Sequence, residues 1–177
     1  AMISSAGISR GSLKYLADTG RLDQVSRGVY TLPEVWEDEF VSIQERYKRG
    51  VFALDTALFL HDLTDRTPHK FHMAFPYGYN TSSPKAAGIL CSCKKEPYYS
   101  LGIALVDTPA GNTVRAYNAE KTLCEILKPI SHTDIQIITD AFKRYAGRKD
   151  KNIPLLSEYA HQLRVEKRLR PYLEVLL

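Results

Sequence analysis

Histidine and cysteine are the residue types in this 177-residue chain that could ligate a metal ion. His69 and His72 are three residues apart at the edge of a predicted strand, where that spacing places them on opposite faces. Cys91 and Cys93 are separated by a single residue, which differs from the Cys-x₂₋₄-Cys spacing of zinc knuckles. We therefore predict no metal site.

Acid–base or nucleophilic catalysis would need a histidine paired with a carboxylate and a nucleophile. His61-Asp62 and His161 suggest such pairs only by adjacency, and His61 lies in an apolar predicted helix, where a structural histidine is commoner. The sequence lacks phosphate-binding loops, dinucleotide fingerprints and nucleophile elbows. We predict neither an enzyme nor a cofactor. The enzyme alternative is a metal-dependent nuclease built on scattered carboxylates: Asp62, Asp65, Glu96 and Asp107.

Basic and polar side chains near the N-terminus have a spacing typical of DNA recognition. Ser9 is a good N-cap for a short helix with Leu13 and Leu16 on its apolar face, and residues 22–32 predict a hairpin with Arg27 in its turn. A helix N-terminus suits base edges and phosphates, and a basic hairpin reaches the adjacent backbone, as in a winged helix-turn-helix. The predicted DNA-binding residues are Ser9, Arg10, Ser12, Lys14, Tyr15 and Arg27. The alternative is a helix and hairpin that cap the larger domain with solvated charges.

A second group of basic residues surrounds Gly147 in the C-terminal third of the chain. Its members that could contact a DNA backbone are Lys143, Arg144, Arg148 and Lys149. Such a cluster can also be a solvated face or a surface for an acidic protein, and all three interpretations remain open from the sequence.

Composition places the chain among globular proteins. Apolar residues make up 44% and charged residues 25% of the chain, so a packed core is expected. The longest apolar runs fall far short of the roughly 18 residues that a membrane helix requires. With no secretion signal and three cysteines, the sequence favours a cytoplasmic protein with free thiols and no membrane association. The net charge of +4 permits a polyanionic partner without requiring one.

The elements that would position these residues indicate an α+β fold with two parts. We predict a small winged helix-turn-helix-like unit over residues 1–33, a connecting helix over 34–50, and a mixed-sheet domain with C-terminal helices over 51–177. In the larger domain the patterns predict an apolar helical stretch from Val51 to Leu63, a half-buried strand through Phe71, Met73 and Phe75, and a second alternating strand ending at Leu105. A hairpin over residues 109–112 and four helices after Asn118 follow.

Three segments of the sequence resemble the AbiEi antitoxins of bacterial abortive-infection systems. They are Ala6-Gly-Ile-Ser-Arg-Gly-Ser-Leu-Lys-Tyr-Leu with the hairpin that follows to Pro33, Phe52-Ala-Leu-Asp-Thr-Ala-Leu-Phe-Leu-His-Asp-Leu-Thr-Asp-Arg-Thr-Pro68, and Arg115-Ala-Tyr-Asn-Ala-Glu-Lys-Thr-Leu-Cys-Glu-Ile-Leu127. The predicted strand before Pro76 is also similar to that family. Family members carry a longer helical stretch before residue 6, so we expect a shortened N-terminal unit.

The resemblance implies a transcriptional repressor that binds inverted repeats in operator DNA upstream of its own operon. It also implies a phage-defence toxin–antitoxin system, in which the protein opposes a nucleotidyltransferase-like toxin encoded beside it, directly or only functionally. We therefore predict an AbiEi-like antitoxin and autorepressor. The alternative of another class is an interaction protein that neutralises a toxin without binding DNA.

Overall fold

The computed structural model describes residues 38–176, together with Ala17 and the stretches 23–26 and 29–31. The chain divides into two compact units, Ala1–Arg46 and Tyr47–Leu177. The finer division into residues 1–33, 34–50 and 51–177 stays a prediction.

The first unit contains a short hairpin and a helix among its described residues. Strands β1 (Asp23–Ser26) and β2 (Val29–Thr31) pair antiparallel, at the positions where the sequence predicts two short strands. Helix α1 (Glu39–Arg46) begins with an acidic and ends with a basic residue, which complements its dipole. Ala17 is helical, but the rest of the predicted recognition helix lies outside the described residues. The winged helix-turn-helix arrangement therefore stays a prediction.

A five-stranded mixed sheet forms the framework of the second unit. Its strands are β3 (Val51–Phe52), β4 (His72–Pro76), β5 (Leu90–Lys94), β6 (Ile103–Asp107) and β7 (Thr113–Tyr117). Their spatial order is β5-β4-β3-β7-β6. The pairs β4·β5 and β3·β7 are parallel, whereas β3·β4 and β6·β7 are antiparallel. This sheet confirms the predicted α+β class and the predicted hairpin at residues 109–112.

The described residues of the second unit contain six α-helices. They are α2 (Leu54–Leu60), α3 (Ser82–Ala86), α4 (Ala119–Ile126), α5 (Ile135–Ala146), α6 (Ile153–Gln162) and α7 (Glu166–Leu176). The side chains of Asn118, Asp134 and Asn152 accept hydrogen bonds from backbone N–H groups in the first turns of α4, α5 and α6. The four predicted C-terminal helices are confirmed.

The core of the second unit lies between its helices. Leu58 on α2, Leu123 on α4, Phe142 on α5, Leu156 on α6 and Leu169 on α7 belong to one buried cluster. The Phe142 ring stacks on the ring of Tyr172, with 4.3 Å between their centroids. Helix α4 also contacts the sheet through two polar residues: Glu125 pairs with Lys94 on β5, and Lys121 lies over the ring of Tyr117 on β7.

The predicted apolar helix from Val51 to Leu63 is wrong at its beginning. Val51 and Phe52 form β3, and α2 begins at Leu54. Both strand residues are fully buried because β3 lies in the middle of the sheet, between β4 and β7. A strand of two residues is too short for an alternating pattern to indicate it.

The burial of two predicted strands also differs from the expectation. Met73, Ala74 and Phe75 are all buried, so β4 is packed on both faces rather than one. Leu105 is 74% exposed, on β6, which is an edge strand that pairs with β7 alone among the described strands. No element was predicted between Pro76 and Leu101, where the structure has α3 and β5.

Candidate functional site

The predicted N-terminal DNA-binding residues lie outside the described residues. They are Ser9, Arg10, Ser12, Lys14, Tyr15 and Arg27. In the sequence, Arg27 stands between β1 and β2, the two paired strands of the first unit. Their contacts with DNA stay a prediction.

Two of the four basic residues predicted as auxiliary DNA contacts bind carboxylates of this chain. Arg144 lies 3.4 Å from a carboxylate oxygen of Asp65. Arg148 donates from Nε and Nη2 to the two carboxylate oxygens of Asp150, at 2.9 and 2.7 Å, and from Nη1 to the carbonyl oxygen of His61 at 2.7 Å. Its guanidinium holds the pKa of Asp150 at about 2. Arg148 therefore ties the turn after α5 to the end of α2.

The other two residues of that set, Lys143 and Lys149, are exposed at the end of α5 and in the turn that follows. Contacts of these four residues with a DNA backbone stay a prediction.

An aromatic and basic surface lies where the parallel strands β4 and β5 end. Pro76 and Lys94 are paired at the last position of the two strands, so Tyr77 and Lys95 leave the sheet side by side. The Tyr77 side chain is 71% exposed, and Lys95 Nζ lies 4.9 Å from the centroid of its ring. Loops at the carboxyl ends of parallel strands are frequent binding sites in α/β proteins.

Two more segments reach the same end of β4. The turn before β3 contributes Arg49, whose guanidinium carbon lies 5.9 Å from the centroid of the Tyr79 ring. Tyr99 donates its hydroxyl proton to the carbonyl oxygen of Arg49 at 2.6 Å, which joins this turn to the segment after β5. That segment also carries Tyr98, which is 40% exposed. We call the surface formed by Arg49, Tyr77, Tyr79, Lys95 and Tyr98 the tyrosine–basic edge.

A buried lysine holds the segment that carries Tyr98. The Lys121 side chain on α4 is fully buried, and its Nζ donates to the carbonyl oxygens of Tyr98 and Leu101 at 2.5 and 2.6 Å. The same Nζ lies 3.4 Å from the centroid of the Tyr117 ring. Burial lowers the pKa of Lys121 to about 7, and the nearby carboxylate of Glu125 acts in the opposite direction.

Glu125 is the buried counter-charge of this lysine. Its side chain is 2% exposed, and its Oε1 lies 2.6 Å from Nζ of Lys94 and 3.9 Å from Nζ of Lys121. Burial also lowers the pKa of Lys128, with Glu125 again opposing the shift. One buried carboxylate thus faces several partly or fully buried ammonium groups beneath the tyrosine–basic edge.

A buried tyrosine completes this support. Tyr117 donates its hydroxyl proton to the carbonyl oxygen of Tyr99 at 2.9 Å. Burial raises the pKa of Tyr117 far above its usual range, so the hydroxyl remains a hydrogen-bond donor at any physiological pH. Lys121 and Tyr117 together bind three carbonyl groups of the segment between Tyr98 and Leu101.

The residues considered for metal or acid–base chemistry lie apart in the second unit. Within residues 38–176, no three histidine, cysteine, aspartate or glutamate side chains come close enough to hold a metal ion. His61 Nε2 lies 2.7 Å from the carbonyl oxygen of Tyr117; since a carbonyl only accepts, this nitrogen carries the proton. Burial lowers the pKa of both His61 and His72. His61 therefore joins the end of α2 to the end of β7.

The four carboxylates of the nuclease alternative come from three places in the chain. Asp62 and Asp65 lie in the loop after α2, Glu96 follows β5, and Asp107 ends β6. Asp65 lies beside Arg144, Glu96 accepts from Ser100, and Asp107 accepts from Thr113. In addition, no helix of the described part of the chain is long and apolar enough to cross a membrane.

Comparison with known proteins gives a class for the N-terminal segment. Residues 1–33 match a family model of transcriptional regulators. The family is that of the AbiEi antitoxins, which confirms the resemblance over this segment. It is a family of antitoxins and regulators rather than of enzymes.

The fold of the chain is similar to that in the crystal structure of the RV2827C protein from Mycobacterium tuberculosis. The two share 15% sequence identity with a TM-score of 0.51, over 97% of this chain and 72% of that one. At this identity the likeness shows the fold alone. No curated protein matches the sequence.

Proposed function

We propose that the protein is an AbiEi-like antitoxin and DNA-binding autorepressor of a phage-defence toxin–antitoxin operon, acting in the cytoplasm. The match of residues 1–33 to the AbiEi regulators is the observation that carries the proposal. Its partners are operator DNA with inverted repeats and a nucleotidyltransferase-like toxin encoded by the adjacent gene.

Two described features of the first unit support DNA binding. Ala17 is helical, and β1 and β2 form an antiparallel pair with Arg27 between them in the sequence, an order of elements that a winged helix-turn-helix shares. In the proposed complex the Ser9–Ala17 helix enters the major groove, with Arg10, Ser12 and Lys14 towards bases and phosphates, and Arg27 contacts the backbone. Lys143 and Lys149 supply auxiliary phosphate contacts.

Gel-shift titration on the DNA upstream of the operon, at several salt concentrations, tests the proposal. Replacing Arg10 by Ala should cost about 1–3 kcal/mol and reduce the preference for operator over random DNA, because a base contact is lost. Replacing Arg27 by Ala should weaken all DNA similarly and lower the salt slope by about one, because a phosphate contact is lost.

An exposed lysine outside the predicted set provides the matched control: Lys167→Ala on α7 removes one positive charge and should leave both the affinity and the salt slope nearly unchanged. Thermal melts of all variants check that the fold is intact. No operator binding by the wild-type protein, or equal affinities of the Arg10 and Arg27 variants and the wild type, would exclude the repressor. Toxin neutralisation without DNA binding would then be the better description.

A further inference from the structure

The tyrosine–basic edge contains none of the residues assigned to operator binding. We propose that it binds single-stranded nucleic acid, with unpaired bases stacked on Tyr77 and Tyr98 and phosphates contacted by Lys95 and Arg49. All five residues of this surface belong to the second unit.

The exposed aromatic rings provide the stacking surface. Tyr77 is 71% exposed even though Lys95 Nζ lies 4.9 Å from the centroid of its ring. Most of the side chain is therefore accessible to a base. The Tyr99 N–H donates to the carbonyl oxygen of Lys95 at 3.1 Å, so residues 95–99 form a single turn that keeps Tyr98 near Lys95. Interleaved aromatic and basic side chains are the usual composition of a surface for single strands.

Two exposed cations flank the rings of this surface. Lys95 follows β5 and Arg49 precedes β3, so both lie at the carboxyl end of β4. Lys94, by contrast, is paired with the buried Glu125 at 2.6 Å. The exposed Glu96 accepts hydrogen bonds from the backbone N–H and the hydroxyl of Ser100 at 3.2 and 2.6 Å. Lys95 and Arg49 are therefore the groups that would contact phosphates.

The surface is held in its shape before any ligand arrives. Lys121 and Tyr117 bind the backbone of the segment that carries Tyr98, and Tyr99 joins this segment to the turn of Arg49. Tyr79, which faces Arg49, is stacked on the buried Phe75 ring with 4.5 Å between centroids. Less conformational entropy is lost on binding when loops are fixed in this way.

Stacking on a tyrosine ring requires a base whose face is accessible, and the bases of a duplex are covered by their neighbours. The exposed rings of Tyr77 and Tyr98 therefore favour a single strand over double-stranded DNA.

Fluorescence anisotropy of the full-length protein with a labelled oligouridylate of about 12 nucleotides, and with a duplex of equal length, tests the proposal. Tyr77→Ala should weaken binding of the oligouridylate at least about fivefold and leave duplex binding unchanged. Tyr77→Phe should stay within about twofold of the wild type, because phenylalanine retains the stacking face. Lys95→Ala should lower the salt slope for the single strand by about 0.7.

Lys167→Ala serves as the control for a lost exposed charge, and thermal melts should show that the exposed Tyr77 can be replaced without loss of folding. The proposal is overturned if the wild-type protein does not bind the oligouridylate, or if Tyr77→Ala binds it as tightly as the wild type. It is also overturned if Tyr77→Ala weakens duplex and single strand equally. Any of these results would leave the tyrosine–basic edge to a protein partner.

Discussion

Replacing Glu125 by Gln tests whether the buried charge cluster beneath the tyrosine–basic edge stabilises the fold. The substitution keeps the size of the side chain and removes the negative charge that faces Lys94 and Lys121, at 2.6 and 3.9 Å. The Lys121 ammonium, which is fully buried, then loses its nearest counter-charge. We expect a large loss of stability.

The magnitude follows from the distances and the exposure of the partners. At an effective dielectric constant near 20, a charge pair at 2.6 Å is worth about 6 kcal/mol and one at 3.9 Å about 4 kcal/mol before desolvation is counted. Removing one partner of a buried pair costs about 3–5 kcal/mol in practice. Lys94 is 18% exposed and can regain hydration, which places the expected cost near the lower end, at about 3 kcal/mol.

The cost should also depend on pH. Glu125 opposes the lowering of the Lys121 pKa, so the variant has a lower Lys121 pKa than the wild type's value of about 7. At a pH between the two Lys121 pKa values, the folded wild type keeps this proton and the folded variant does not, so only the variant loses stability there as the pH falls. The difference from the wild type is therefore larger at pH 6 than at pH 8.5.

Urea unfolding followed by circular dichroism at pH 6 and pH 8.5 measures both effects. Glu158→Gln, at an exposed position on α6 where the carboxylate accepts from Gln162, is the matched control and should cost under about 0.5 kcal/mol. A loss below about 1 kcal/mol for Glu125→Gln at pH 6, or a loss that is the same at both pH values, would refute this account of the cluster.

Three further outcomes follow from the structure. Asn118→Ala should lower the free energy of unfolding by about 1 kcal/mol, because Asn118 Oδ1 caps α4 by accepting from the Lys121 N–H at 3.0 Å; a urea titration showing no change would contradict this role. Stability should fall as pH decreases below about 6.5, because the lowered pKa values of His61 and His72 make the unfolded chain bind more protons there; thermal melts of His72→Gln should show a weaker decline, with the exposed His69→Gln as control. A fragment of residues 47–177 should keep its circular dichroism spectrum, whereas a fragment of residues 1–33 should be largely unstructured; cooperative melting of the short fragment would disprove the second expectation.

Local signals in the sequence were sufficient to predict the C-terminal helices and the hairpin of β6 and β7. The N-cap side chains of Asn118, Asp134 and Asn152 accept hydrogen bonds from N–H groups two or three residues further along the chain. The turn over residues 109–112 joins strands that are consecutive in the chain. Such interactions depend on spacing along the chain, so a pattern can indicate them. The resemblance of residues 1–33 to a family of regulators was likewise readable from the sequence.

Strand pairings between distant segments were not predictable in the same way. β3 is a two-residue strand whose identity depends on its neighbours β4 and β7, and β5 is parallel to β4 across an intervening helix. Leu105 alternates as a buried residue would, yet it is 74% exposed on the edge strand β6. The alternating pattern shows which residues share a face, but the position of a strand in the sheet decides what covers that face.

The tyrosine–basic edge exists only through the tertiary structure. Tyr77 and Lys95 are far apart in sequence and meet because β4 and β5 end at the same level, and Arg49 reaches the same place because β3 runs antiparallel to β4. Lys121 on an amphipathic helix would ordinarily be expected in solvent, but the Tyr117 ring and two backbone carbonyls enclose its ammonium group. The sequence determines which charges and rings the chain carries; burial and strand pairing decide which of them meet, because both depend on contacts between residues that are distant along the chain.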